Sequence, residues 1–124
     1  MFGAGSGELF QVRVAGNSAF NDGIASLEFA VAALEVPLIV VMGHSRCGAV
    51  AAAMGTDPLT PLLEDLVQPI RASLQPNDDL TQAIQGNARY AAAQLAKRSP
   101  SLAEAQASGR CASSRPSSTF NRVW

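Results

Sequence analysis

One histidine and one cysteine lie three residues apart in the segment GHSRCG at residues 43–48, and they are the residues best suited to chemistry. His44 is the only histidine of the chain. An imidazole and a thiolate at this spacing can face one ion, and zinc accepts both ligand types in tetrahedral geometry. Gly43 and Gly48 would let the backbone approach such an ion closely. The pattern therefore indicates a candidate zinc site at His44 and Cys47.

The spacing of His44 and Cys47 alone leaves two other interpretations of these residues open. A free cysteine is often a small buried hydrophobic residue, and a single His-x-x-Cys pair is a weak motif by itself. A cysteine at a strand-to-helix turn can also act as a nucleophile when a histidine serves as its base. That interpretation needs a third residue to orient His44, and the sequence identifies none.

The elements before and around this segment predict an α/β fold. Residues 37–42 form a continuous apolar run, which is typical of a parallel-sheet strand that is covered on both faces. The alternation over residues 8–14 predicts an earlier strand, and residues 45–54 predict a helix after the motif. We therefore expect a mostly parallel sheet flanked by helices, with ligands at the carboxyl ends of its strands.

Three further amphipathic helices follow from apolar spacing. The first covers Ile24 to Leu34, with Asn21 or Asp22 as its cap. The second covers residues 62–74, and the third runs over residues 80–95 after a start signal at residues 76–79. Beyond Ser99 the helical pattern fades.

Length and composition restrict the class of protein. The 124 residues suffice for one domain, and 48% of them are hydrophobic while 15% are charged. A net charge of −1 argues against a nucleic-acid binder, and no apolar run reaches the roughly 20 residues that a membrane span needs. Two cysteines and the absence of a secretory signal predict a reducing, cytoplasmic setting.

Several segments together resemble the β-class carbonic anhydrases, zinc enzymes that interconvert carbon dioxide and bicarbonate. The matching segments are ELFQVRVAGN at residues 8–17, SLEFAV at residues 26–31 and VPLIVVMGHSRCGAV at residues 36–50, together with Asn87 and Ser99-Pro100. The resemblance implies that His44 and Cys47 are two of three protein zinc ligands. It also implies a site lined by Gly16, Asn17, Gly43, Ser45 and Gly48. In this family zinc lowers the pKa of its bound water, so that hydroxide attacks carbon dioxide.

The sequence departs from the family pattern in one respect that concerns the metal. The family takes its first zinc ligand and an Asp-Arg pair from a Cys-x-Asp-x-Arg motif one strand earlier, and this motif is absent here. The resemblance therefore implies a truncated chain without its central first strand, unknown catalytic residues and poor zinc retention. Cys111 lies in a segment unlike the family and Asp22 is explained as a helix cap, so neither is expected to replace the missing ligand.

A second departure concerns the end of the chain. Residues 1–110 are interpreted as a partial domain of this family, and residues 111–124 as an unrelated, disordered tail. The family closes with an apolar strand at this place, whereas the tail is rich in serine. Reading the codons one base earlier yields a strand-like sequence, which suggests the hypothesis of a single-base deletion near codon 110.

The resemblance implies a zinc-dependent carbonic anhydrase that acts on carbon dioxide and bicarbonate and forms a homodimer or higher homo-oligomer. No nucleic-acid or membrane partner is expected. Two alternatives remain: a carbon disulfide or carbonyl sulfide hydrolase on the same zinc scaffold, and a catalytically inactive remnant.

Overall fold

The computed structural model describes residues 5–113, in which helices flank a short parallel sheet. In chain order the elements are a 3-10 turn at Ala15–Asn17 (the Gly16 turn), α1 at Asn21–Ala33, β1 at Leu38–Ile39, α2 at Gly48–Met54, α3 at Pro61–Arg71, α4 at Leu80–Arg98, α5 at Pro100–Ala107 and β2 at Ala112–Ser113. β1 and β2 pair in parallel, with Leu38 opposite Ala112. The predicted α/β class is confirmed. Within the described residues no helix is both long and apolar enough to cross a membrane.

Helix α4 begins where the sequence predicts, because its first turn is capped by side chains. Asp79 accepts a hydrogen bond from the Gln82 amide at 2.8 Å, and the Gln82 side chain accepts one from the Asp79 amide at 2.8 Å. This reciprocal capping box satisfies two backbone donors that a helix start otherwise leaves unpaired. Helix α5 was not expected. It begins at Pro100, after Ser99 accepts a hydrogen bond from the Leu102 amide.

The predicted cap of α1 is wrong. The residue before the helix is Phe20, which makes no capping side-chain hydrogen bond, and both Asn21 and Asp22 lie inside the first turn. The Asn21 side chain instead accepts a hydrogen bond from Arg98 at 2.7 Å. A contact from α4, 77 residues away in the chain, therefore takes the oxygen that a local cap would have used.

The strand predicted over residues 8–14 is also wrong. These residues belong to no sheet in the described part of the chain, and Leu9 and Phe10 are exposed. Alternation marks a segment that can form a strand, but the strand exists only where a neighbour takes its backbone hydrogen bonds.

The strand predicted over residues 37–42 forms only at Leu38–Ile39. It is not covered on both faces, because Leu38 is 49% exposed while Ile39 packs against buried residues. The expectation that no strand follows Arg110 is wrong at Ala112–Ser113, which pair with β1. Residues 114–124, most of the predicted tail, lie outside the described residues.

Two groups of buried side chains hold the fold together, and α4 contributes to both. The first core cluster consists of Cys47, Val50, Ala53, Val67, Ile70, Ala83 and Ile84. The second core cluster consists of Ile24, Val31, Leu95, Leu102, Ala105 and Cys111. The first joins α2, α3 and α4 beneath the His-x-x-Cys segment, and the second joins α1, α4 and α5 beside β1.

Candidate metal centre

The loop between β1 and α2 contains both predicted metal ligands. Ser45 and Arg46 form a turn in which Arg46 adopts a left-handed backbone conformation, with φ of 55°. This turn delivers Cys47 to the position immediately before α2. His44, Ser45 and Arg46 are exposed, whereas Cys47 is buried. The loop therefore places one donor at the surface and one at the edge of the first core cluster.

The His44 imidazole is oriented by its neighbour. Its Nδ1 lies 3.0 Å from the Ser45 carbonyl oxygen. Because a carbonyl oxygen only accepts hydrogen bonds, this contact is a hydrogen bond when Nδ1 carries the proton, and in that neutral tautomer Nε2 keeps a free lone pair. Histidines that bind metals commonly donate their second ring N–H to a carbonyl or carboxylate in this way. The contact with Ser45 thus favours the tautomer in which His44 could bind a metal through Nε2.

The Gly16 turn lies against the start of α2. Gly16 has φ of 68°, and a Cβ atom there would overlap the Cδ1 methyl of Ile70 and come within 3.3 Å of the Ala49 Cβ. Asn17 is also left-handed, with φ of 52°. Ala49 follows Cys47 by two residues, so the structure brings Gly16 and Asn17 close to the helix that Cys47 begins.

The two glycines that flank the motif have different roles. A Cβ atom at Gly43 would lie 2.7 Å from Ile84 Cγ2 and 3.9 Å from the Ala88 Cβ, both on α4. A Cβ at Gly48 would have no atom within 4 Å. Glycine at position 43 is therefore required by close packing on α4, while position 48 faces open space.

Asn87 of α4 contacts the Gly16 turn, and this contact is not predicted from the sequence. Its side chain is buried, and its Nδ2 donates to the Gly16 carbonyl oxygen at 2.6 Å. The sequence does carry a signal for this contact, because Asn87 lies on the same face of the helix as Ile84, Ala88 and Ala91. A polar residue at a buried helical position indicates a specific hydrogen-bond partner.

The residues described by the structure supply two candidate donors rather than three. Over residues 5–113, no group of three or more histidine, cysteine, aspartate or glutamate side chains could hold a metal ion. Cys111 lies in the second core cluster, and Asp22 lies on the surface of α1. The donor types of His44 and Cys47 fit zinc, and neither Cys111 nor Asp22 completes a three-residue set with them.

The family is decided by comparison with known proteins. A family model described as carbonic anhydrase matches residues 1–112. The chain belongs to the β-carbonic anhydrase family. It is 35% identical over 118 residues to a carbonic anhydrase of Mycolicibacterium smegmatis, a match that covers 88% of this chain and 57% of the relative. It is 50% identical over 54 residues to carbonic anhydrase 2 of Mycobacterium tuberculosis, covering 44% of this chain and 26% of the relative.

A third carbonic anhydrase, from Synechococcus elongatus, is 42% identical over 79 residues, which cover 56% of this chain and 29% of the relative. The chain thus spans about half, or less, of the length of the curated carbonic anhydrases that it matches. Membership of the family is therefore shown for this segment, and the whole enzyme's activity belongs to the proposals below.

The second cysteine of this carbonic anhydrase segment gives a pH-dependent prediction. Burial raises the pKa of the Cys111 thiol, and a backbone hydrogen bond from Ile39 partly opposes this. Because the thiol ionises more readily in the unfolded chain, the free energy of unfolding should fall as the pH rises above the ordinary thiol pKa. Urea titrations at several alkaline pH values should show that the free energy of unfolding falls less steeply with pH in Cys111→Ser than in the parent chain. An unchanged slope would contradict the prediction.

Proposed function

We propose that this chain carries the zinc-binding segment of a carbonic anhydrase, with carbon dioxide and bicarbonate as its substrates. The observation that carries the proposal is the His44–Cys47 loop. The imidazole Nδ1 lies 3.0 Å from the Ser45 carbonyl oxygen, and Cys47 follows three residues later, immediately before α2. Family membership supports the same assignment.

His44 Nε2 and Cys47 Sγ are the atoms that would hold the metal. When bound, zinc acts as a Lewis acid that makes water acidic enough to serve as a nucleophile near neutral pH. The other positions that we propose line the site are Gly16, Asn17, Gly43, Ser45 and Gly48, none of which has a charged side chain.

We further propose that the described residues hold zinc weakly on their own. Structural and catalytic zinc sites use three or four protein ligands, and residues 5–113 bring no third histidine, cysteine or carboxylate to the pair. With fewer protein donors, a metal ion would be held by fewer bonds to the chain. This observation favours the alternative in which the isolated segment binds metal without efficient catalysis.

Self-association is part of the proposal. Phe29, Leu34 and Leu38 are each about half exposed, and large apolar side chains at a surface favour contact with another protein surface. A reducing, cytoplasmic setting is also part of the proposal, as expected from the low cysteine content of the chain.

The test is a zinc titration of the full chain, followed by carbon dioxide hydration assays at saturating zinc. We expect one zinc ion per chain, bound more weakly than in a three-ligand site, and hydration slower than that of a complete carbonic anhydrase assayed in parallel. Hydrolysis of carbonyl sulfide or carbon disulfide without hydration of carbon dioxide would select the hydrolase alternative. Absence of any specific zinc binding would overturn the proposal.

A further inference from the structure

Helix α4 lies beneath both segments of the candidate metal centre. Ile84 and Ala88 lie under Gly43, in the loop that carries His44. Asn87 lies under the Gly16 turn. Residues three and four apart share one face of a helix, so a single surface of α4 supports the two segments. The spacing between these segments is therefore set by one rigid element.

Asn87 makes the polar contact on this face of α4. Its Nδ2 donates to the Gly16 carbonyl oxygen at 2.6 Å, and its Oδ1 lies 3.4 Å from the Ser73 hydroxyl. The amide orientation is determined, because a carbonyl oxygen can only accept a hydrogen bond. Ser73 also donates to the Ile70 carbonyl at 2.6 Å, so the bond to Gly16 is the stronger link of Asn87. Because Asn87 is only 5% exposed, water cannot easily replace its hydrogen bond to Gly16.

The Gly16 turn gains support from this external anchor. Gly16 and Asn17 are consecutive residues in the left-handed region, and although glycine and asparagine both tolerate this conformation, such residues normally occur singly rather than in pairs. The turn's own backbone hydrogen bond, from the Asn17 amide to the Val14 carbonyl, is 3.2 Å long. On its other side the turn meets Ala49, two residues beyond Cys47.

We propose that Asn87 is a positioning residue of the metal centre. By holding the Gly16 carbonyl, it keeps the Gly16 turn against the first turn of α2 and so keeps Cys47 in register with His44. The His44 loop rests on the same helix through Gly43, which makes α4 the common base of both donors. The inference rests on the proposed function in that His44 and Cys47 are taken as the metal-binding pair.

The test compares variants at Asn87 with a matched buried control. Asn87→Asp keeps the shape of the side chain but removes the donor to Gly16, and Asn87→Ala removes the donor without burying a carboxylate. Ser99→Ala is the control. Ser99 is 1% exposed, and its bonds go to Glu28 at 2.5 Å and to the Leu102 amide at 3.0 Å, away from both segments.

Zinc affinity is measured by competition with a chromophoric chelator at a temperature where circular dichroism shows every variant folded. Outer-shell changes typically weaken metal binding about 10- to 100-fold, and we expect about tenfold for both Asn87 variants. Ser99→Ala should leave the dissociation constant within about twofold of the parent chain. An equal loss of zinc affinity in Ser99→Ala and Asn87→Ala would show that the effect comes from lower stability of the fold in general, and it would overturn the proposal.

A second measurement separates this inference from the proposed function. Amide and imidazole NMR signals are recorded on the zinc-free chain, so the result does not depend on metal binding. Asn87→Ala should shift the signals of Gly16, Cys47 and the His44 ring, whereas Ser99→Ala should not. If the parent chain binds no zinc, the proposed function fails and these shifts alone decide the role of Asn87. Unchanged His44 and Cys47 signals would overturn that role.

Discussion

Replacing His44 by alanine or Cys47 by serine is expected to weaken zinc binding by more than about 100-fold, beyond the range found for outer-shell residues. The described residues offer two donors, so each substitution leaves a single protein ligand and no chelate. A serine hydroxyl does not replace a thiolate, because it keeps its proton at neutral pH and is not among the usual zinc ligands. Equilibrium dialysis with metal analysis measures the loss directly.

Cys111→Ser is the matched control for the Cys47 substitution. Both thiols are buried and free, but Cys111 belongs to the second core cluster and Cys47 to the first. We expect Cys111→Ser to keep the zinc affinity of the parent chain. Retained binding in both His44→Ala and Cys47→Ser would show that the metal is held elsewhere, and the proposed site would then be wrong.

Gly16→Ala is expected to destabilise the folded chain by about 2–5 kcal/mol. A left-handed backbone costs a residue with a Cβ about 1–2 kcal/mol, and overpacking a filled core costs about 1–3 kcal/mol more. Both costs apply, because Gly16 has φ of 68° and its added methyl would overlap the fully buried Ile70. Urea denaturation followed by circular dichroism gives the free energy of unfolding.

A second substitution distinguishes the steric cost from the backbone cost. Ile70→Val removes Cδ1, the atom that the new methyl would overlap, and alone it should cost about 0.5–1.5 kcal/mol. In the Gly16→Ala background the same change should instead stabilise the chain. The effect of Ile70→Val on the free energy of unfolding should therefore change sign between the two backgrounds. Additive losses in the double variant would contradict the packing seen around Gly16.

Two other glycines serve as controls for this experiment. Gly109 has φ of 73°, and a methyl group added there would have no atom within 4 Å, so Gly109→Ala tests the backbone cost alone. Gly48 also has open space, begins α2 and carries no positive φ, so Gly48→Ala should be neutral or slightly stabilising. The loss in free energy of unfolding should be largest for Gly16→Ala, smaller for Gly109→Ala and smallest for Gly48→Ala.

The sequence by itself determined the features that depend on local chemistry. The start signal at residues 76–79 and the spacing of the apolar residues in α3 and α4 predicted these helices. Family membership also follows from local patterns, above all from the segment around His44 and Cys47, and the comparison with carbonic anhydrases confirms it. These features are readable because each depends on residues at most a few turns apart in the chain.

The tertiary structure decided the features that need a distant partner. Residues 8–14 have the alternation of a strand but pair with no strand in the described part of the chain. β1 is a strand because Ala112 lies opposite Leu38, and Asn21 does not cap α1 because Arg98 reaches its side chain. The hydrogen bond from Asn87 to Gly16, on which the proposed support of the metal centre rests, joins residues 71 positions apart in the chain. The periodicity of apolar residues indicates which face of a helix or strand is apolar. It does not indicate which other element packs against that face, and hydrogen bonds such as that of Asn87 and close contacts such as that of Gly16 depend on this.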